Sequence, residues 1–228
     1  MRQLFPDVVD AVDPADVYAD LPVAEGRPSV RLNMISSVDG STTINGVSGE
    51  LGSLGDKRVF AALRSLADVV LVAAGTMRAE HYGPASVPIA VVTRSADLDW
   101  DSPFFTKQKA KPLVVTGDSA PAENLERAAE VADVVVAGTD GVDFSQALPE
   151  LAARGFRHVL AEGGPTLNAE LARAQLIDEL CLTFSPKLVA GDSKRILAGP
   201  LLPAAIDLSL QSMLEDDGYL FLRYRATS

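Results

Sequence analysis

The chain has 228 residues, with 20 Lys and Arg against 31 Asp and Glu, a formal charge of −11. At 47% hydrophobic and 22% charged residues it has the make-up of a packed globular protein rather than a disordered one. The acidic balance argues against nucleic acid and anionic membranes as partners, and the single cysteine, Cys181, rules out an internal disulfide framework or a Cys-rich zinc site.

Residues 1–26 hold Asp7, Asp10, Asp13, Asp16, Asp20 and Glu25, with Pro6, Pro14 and Pro22 interrupting any long helix. They read as an acidic N-terminal arm, which Leu4, Val8, Val9 and Tyr18 are suited to dock. There is no signal-peptide core and no apolar stretch near the ~20 residues that span a bilayer, so the expected location is cytoplasmic. Residues 27–228 read as one domain. Val30–Ile35 is a strand, and Leu54–Leu66 carries helical spacing through Val59, Phe60, Leu63 and Leu66. The apolar runs Val69–Ala74, Ile89–Thr93, Leu113–Thr116, Val134–Ala137 and Val159–Ala161 suit central strands covered on both faces. Helices are expected at Pro121–Val131 and Phe144–Arg154, and the alternation implies an α/β fold with a mainly parallel sheet flanked by helices. Glu179–Val189 and Tyr219–Arg225 read as antiparallel C-terminal strands, joined by a connection with no strong helix. On the last strand Tyr219, Phe221, Arg223 and Arg225 alternate with Leu220, Leu222 and Tyr224, giving two chemically different faces. Cys181, inside an apolar stretch, reads as an inert buried thiol.

Ligands of open α/β sheets collect beyond the carboxyl ends of the strands. After the strand ending at Ala161 comes Glu162-Gly163-Gly164-Pro165-Thr166-Leu167. The glycines let a ligand approach the backbone, Pro165 suits the first helical position, and the N–H groups of Gly164, Thr166 and Leu167 are left to point at an anion. Gly75-Thr76-Met77-Arg78-Ala79-Glu80 follows another strand, with the Thr76 hydroxyl available to a phosphate or ribose. Thr93-Arg94-Ser95 suits a 2′-phosphate or, equally, a solvated polar loop. Ser36-Ser37-Val38-Asp39-Gly40 is either a hairpin corner or a site that brings the Asp39 carboxylate to the sheet edge. Ser48-Gly49-Glu50 lies soon after. Arg64 on the next helix is placed to pin a substrate phosphate or to pair with Asp68 at i, i+4. His158 reads as structural, no metal-ligand or Ser-His-Asp spacing emerges, and the G-x-G-x-x-G and G-x-x-x-x-G-K-[ST] loops are absent.

Taken in order, SSVDG (36–40), Arg64, GTMRAE (75–80), EGGPTL (162–167) and SPKLVAG (185–191) resemble the riboflavin-biosynthesis pyrimidine reductases, the C-terminal half of bifunctional deaminase-reductases of the RibD type. The likeness runs from about Arg31 to the C-terminus, and EGGPTL with SPKLVAG is its specific part. It implies a single-domain, dihydrofolate-reductase-like fold, NADPH as cofactor, a homodimer, and reduction of a ribosylaminopyrimidine phosphate to its ribityl form, as in 5-amino-6-(5-phosphoribosylamino)uracil reductase. It further implies that Gly75, Thr76, Thr93, Ser95, Gly163, Gly164, Pro165, Thr166 and Leu167 hold NADPH. Ser48, Arg64, Glu80 and Glu162 meet the substrate, Arg64 at its phosphate, and Asp39 and Glu162 are the catalytic carboxylates. No zinc-binding deaminase signature precedes these motifs, so a free-standing reductase is expected. Ala79-Glu80-His81-Tyr82-Gly83-Pro84 stands where the family often has Asp-Asp-Pro, and the resemblance implies that this stretch lines the substrate side. Two alternatives remain open: a dihydrofolate or pterin reductase on the same fold, with Asp39 facing the ring, and a paralogue that binds NADPH without turnover. By segment, residues 27–94 are net positive by 2 while the parts before and after are −5 and −8. That distribution suits a phosphorylated small substrate.

Overall fold

The computed structural model describes residues 1–21 and 23–227; Pro22, one of the three helix-interrupting prolines, lies outside them. In chain order the elements are β1 (Arg2–Phe5), α1 (Pro14–Val17), β2 (Ser29–Ser37), a 3₁₀ turn (Gly49–Leu51), α2 (Leu54–Ser65), β3 (Val69–Ala73), α3 (Ala74–Ala79), β4 (Ile89–Val92), α4 (Pro103–Thr106), β5 (Leu113–Thr116), α5 (Ala122–Val131), β6 (Asp133–Val136), α6 (Phe144–Ala153), β7 (His158–Ala161), α7 (Pro165–Arg173), β8 (Glu179–Ser185), β9 (Asp207–Asp216) and β10 (Tyr219–Thr227). Ten strands form one sheet in the order β1-β9-β10-β8-β2-β7-β3-β4-β5-β6. From β8 to β6 every neighbouring pair is parallel, and β8–β10, β10–β9 and β9–β1 are antiparallel.

Four of the five apolar runs become interior strands because both faces of the sheet are covered there, whereas Val134–Ala137, expected to be central, forms β6 at the edge of the sheet with Val136 exposed. Val70, Val72, Ile89, Val91 and Val114 enter one buried cluster, with Val59 and Leu63 of α2 and with Trp100, Phe104 and Phe105. The alternate residues Val69, Leu71, Ala90, Leu113 and Val115 enter a second, against Leu148 and Leu151 of α6 and Leu167 and Leu171 of α7. That split is the period-2 pleat read directly from the sequence.

Three features differ from the sequence reading. β8 is parallel to β2 and antiparallel to β10, so it is the strand at which the sheet changes sense, and it ends at Ser185 rather than Val189. The connection after it contains a full strand, β9. A register shift between Arg223 and Tyr224 leaves Gln211 unpaired in the β9–β10 ladder, which breaks the alternation that would have marked β9. Finally, the N-terminal residues include a strand, β1, that adds to the edge of β9; of the residues suited to dock them Tyr18 is 1% exposed, whereas Val8 and Val9 stay exposed.

The first residues are tied down by a buried charge cluster. Glu179 on β8 is fully buried, and its carboxylate meets Arg31 of β2 at 2.5 Å and Arg223 of β10 at 2.9 Å. These guanidiniums also donate to main-chain carbonyls: Arg31 to Tyr18 at 3.0 Å, and Arg223 to Val17 at 2.9 Å and to Asp20. Arg223 and Tyr219 thus occupy the buried face that the alternation on β10 marked out. Cys181 is buried in the same region, and burial pushes its thiol up to about 12.

Candidate active site

β7 runs into the site at its carboxyl end. Glu162, one residue beyond it, is 8% exposed. Its two oxygens accept from Arg64 Nε and Nη2, each at 2.7 Å, and Oε2 also accepts from the Tyr82 hydroxyl at 2.5 Å. Arg64 lies 4.3 Å from the centroid of Phe60, one turn earlier on α2, and 5.3 Å from that of Tyr82. A guanidinium flanked by two rings has little freedom to swing away, so it is a fixed fork for one carboxylate. Burial first, and then the neighbouring Glu162 charge, raise the Tyr82 phenol well above its ordinary value, which keeps it a donor.

The Glu162–Leu167 segment turns directly into α7. Gly163 has φ +94°, a left-handed conformation suited to glycine, and its carbonyl accepts from Ala73 N–H at 2.7 Å. The Gly163–Gly164 peptide is cis. A Cβ on Gly164 would stand 2.7 Å from the Thr76 hydroxyl oxygen, so only a glycine allows β7 and α3 to approach this closely. Pro165 occupies the first position of α7, and the N–H groups of Thr166 and Leu167 donate to no protein atom among the described residues. A narrow glycine-lined cleft, the Thr76 hydroxyl and a free helix N-terminus suit a pyrophosphate, so these residues fit a dinucleotide.

Between this cradle and the carboxylate lies a cavity of about 590 Å³. Of the residues singled out from the sequence, it is lined by Ser48, Gly75, Thr76, Glu80, Glu162, Gly163, Gly164 and Pro165. Ser48 and Glu80 are joined, Ser48 N–H donating to Glu80 Oε1 at 2.7 Å. Met34, Ile35 and Phe60 contribute apolar wall. The far rim is laced by two distant segments: Thr42 donates to the Lys194 carbonyl at 2.7 Å, and the Thr43 and Ser193 hydroxyls lie 3.2 Å apart. Lys57 and Lys194 both line the cavity, and neither forms an ion pair among the described residues.

Other candidates stand elsewhere. Asp39 is exposed and does not line the cavity. Its carboxylate accepts from Ser37 Oγ at 2.5 Å and Ala190 N–H at 2.7 Å, and these bonds, the Ser37 one foremost, hold it below the usual carboxylate range. It therefore clamps the 185–190 loop to the end of β2 and stands apart from Glu162, outside the cavity walls. Arg64, expected at a phosphate, is paired instead with Glu162, and its alternative partner Asp68 accepts from the N–H groups of Arg157 and His158. The Thr93 and Ser95 hydroxyls accept from Ala96 and Asp97 N–H in a turn outside the cavity, and Thr166 and Leu167 also lie beyond its walls.

Sequence reasoning missed Asp56, Thr42, Thr43, Ser193 and Lys194, while Tyr82 lies in the 79–84 stretch expected on the substrate side, without its bond to Glu162 having been foreseen. Asp56 lies in the first turn of α2 and lines the cavity. Its Oδ1 accepts from Thr183 of β8 at 2.9 Å, and Oδ2 has no hydrogen-bond partner among the described residues. Burial raises its carboxyl above the ordinary value, with the Thr183 bond opposing. Ser53, whose hydroxyl accepts from Asp56 N–H at 3.1 Å, makes an S-x-x-D helix start, so the only local signal was one that reads as a cap.

A family model described as the RibD C-terminal domain matches residues 28–220. A 2,5-diamino-6-ribosylamino-4(3H)-pyrimidinone 5′-phosphate reductase of Aquifex aeolicus is 32% identical over 186 residues, covering 76% of this chain and 83% of its own. A pyrimidine reductase-like protein of Corynebacterium diphtheriae superposes with a TM-score of 0.82 at 26% identity, covering 96% of this chain and all of that one. The dihydrofolate reductase of Enterococcus faecalis superposes with a TM-score of 0.50 at 12% identity over 91% of this chain and 100% of its own, a likeness of fold alone.

Proposed function

The chain belongs to the RibD C-terminal domain family, and from that footing we propose that it is an NADPH-dependent reductase converting the ribose of a ribosylaminopyrimidine 5′-phosphate to a ribityl chain. The observation that carries this reading is the convergence, in one cavity, of the Gly163–Gly164–Thr76 cradle with a carboxylate fixed by Arg64 and Tyr82. A pure binding protein needs the cradle and has no use for the second part.

A nicotinamide coenzyme supplies the hydride when bound. Gly163, Gly164 and Thr76, with the free N–H groups of α7, are the residues that would hold it. Arg94, exposed at the end of β4 and in no ion pair among the described residues, is the cation available to a 2′-phosphate. The reaction opens the C1′–O4′ bond as the attached nitrogen gives up its proton and O4′ takes one, which leaves a C1′=N double bond with no net change in protons. C1′ then receives the hydride, and the attached nitrogen receives the proton that balances it. With Asp39 elsewhere, Glu162 is the carboxylate that handles a proton at the opening ribose. Arg64 and Tyr82 are positioning residues that leave Glu162 lone pairs directed at a sugar O–H or N–H. Lys57 and Lys194 replace Arg64 as the cations for the 5′-phosphate.

The test is NADPH oxidation with the ribosylaminopyrimidine phosphate as acceptor, with the product identified by mass as the ribityl compound, two hydrogens heavier. Turnover of dihydrofolate with none of the pyrimidine transfers the activity to pterins. A thermal midpoint unmoved by saturating NADPH or NADH removes the coenzyme assignment.

A further inference from the structure

The cavity holds one carboxylate that the reaction above does not use. Asp56 is set into the wall by α2, with Oδ1 anchored by the Thr183 hydroxyl at 2.9 Å and Oδ2 without a partner among the described residues. Apolar Met34, Ile35 and Phe60 line the same cavity, so a flat heteroaromatic ring has apolar side chains to lie against and an anionic acceptor within the same wall. A half-buried carboxylate with one oxygen open to the cavity is a ready acceptor for a ligand that brings donors to it. In keeping with this, burial keeps its carboxyl raised in the free protein.

Resting on the proposed reductase function, we infer that Asp56 is a specificity-determining residue that reads the pyrimidine ring and selects the 2-amino-4-oxo compound over the uracil. The two candidate rings differ at one edge. In a 2-amino-4(3H)-pyrimidinone, N3–H and the 2-amino group are adjacent donors, and together they fit the two oxygens of a carboxylate. In a uracil the same edge offers N3–H beside the C2 carbonyl, so one carboxylate oxygen faces another acceptor across a desolvated gap. A site built for two donors discriminates strongly against a ring that replaces one of them by an acceptor. The relative from Aquifex aeolicus is named for a substrate of the first kind, while the resemblance read from the sequence motifs leads to the second. Asp56 decides between them: this chain acts on the pyrimidine before its 2-amino group is hydrolysed, so a deamination must consume its product.

The experiment compares 2,5-diamino-6-ribosylamino-4(3H)-pyrimidinone 5′-phosphate with 5-amino-6-(5-phosphoribosylamino)uracil. Each is titrated calorimetrically into the protein without coenzyme and then used as a substrate with NADPH. The wild type is expected to favour the diamino compound at least about tenfold in both Kd and kcat/KM, the discrimination of a good bidentate pair. Asp56→Asn presents one acceptor and one donor, which matches the uracil edge, so its preference should be erased or reversed while NADPH still raises its thermal midpoint. A wild type that does not discriminate overturns the inference whether or not the variant folds. So does an Asp56→Asn protein that loses both compounds in equal proportion. Binding and turnover of neither compound by the wild type is a distinct result: it removes the proposed function, and this inference with it.

Discussion

Replacing Arg64 by alanine separates two roles that act on different kinetic constants. In the structure Arg64 gives Glu162 two charge-assisted hydrogen bonds of 2.7 Å, and the Glu162 side chain is 3% exposed. Removing one partner of a buried pair costs about 3–5 kcal/mol. The Arg64 side chain is 24% exposed, so water replaces part of what is lost, and the Tyr82 bond survives; about 3 kcal/mol is the reasonable figure. If that energy holds Glu162 in its productive position, kcat falls by roughly 100-fold, while KM for the phosphorylated substrate changes only a few fold. Arg64→Lys, with its charge kept but the fork lost, should recover a minor part of kcat. Steady-state kinetics with NADPH saturating reads both constants. A KM raised tenfold or more at unchanged kcat would refute the reasoning and make Arg64 the phosphate anchor that the family resemblance implied.

Other predictions bear on the same geometry. Tyr82→Phe removes the donor at 2.5 Å from Glu162 and should lower kcat by about tenfold; an unchanged kcat would remove Tyr82 from the positioning set. Gly164→Ala puts a methyl 2.7 Å from Thr76 Oγ1, and NADPH affinity by calorimetry should drop by roughly tenfold or more as Thr76 is displaced. Glu179→Gln leaves Arg31 and Arg223 buried without a counter-charge, at about 3–5 kcal/mol. The thermal midpoint should fall by roughly 6–20 °C, and a drop below about 2 °C would show that the cluster is not what secures the N-terminal segment. Asp56 has a raised carboxyl, so its contribution favours the fold at pH below its unfolded value and is lost as pH rises through the higher folded one. Asp56→Asn should therefore melt a few degrees above wild type at pH 7, with the gap closing toward pH 4 in melts across that range.

How far the sequence carried these conclusions depended on whether the signal was local. The EGGPTL turn was legible because glycine and proline chemistry acts over adjacent residues, and Pro165 opens α7 behind the two glycines as that chemistry requires. Five strands were legible from unbroken apolar runs, four of them covered on both faces as those runs imply and the fifth, β6, standing at the edge of the sheet. β9 was not, since one unpaired residue at Gln211 shifts its alternation midway. β1 was not, because four residues on an edge carry no period of their own. Asp39 and Asp56 make the sharper contrast. Asp39 stands at a strand end, where ligands gather, yet the path of residues 185–190 brings main-chain N–H groups onto its carboxylate. Asp56 stands where a first-turn acid is ordinary, and only the placement of Thr183, distant in the chain, shows that it opens into a cavity.

The position of β2 at the centre of the sheet has a kinetic side. Its partners are β7 and β8, so that Ser29 meets His158 across 129 residues and Arg31 meets Glu179 across 148. The rim of the cavity is closed in the same way, by Thr42 and Lys194 across 152 residues. Such pairings bring the loop-closure entropy due before their contacts form, and chains dominated by them fold slowly. The site therefore cannot exist in a part-folded chain: the strand that floors it and the loops that wall it come together only when most of the polypeptide has already been ordered. A destabilising substitution far from the cavity should thus lower the amount of active protein rather than its turnover number.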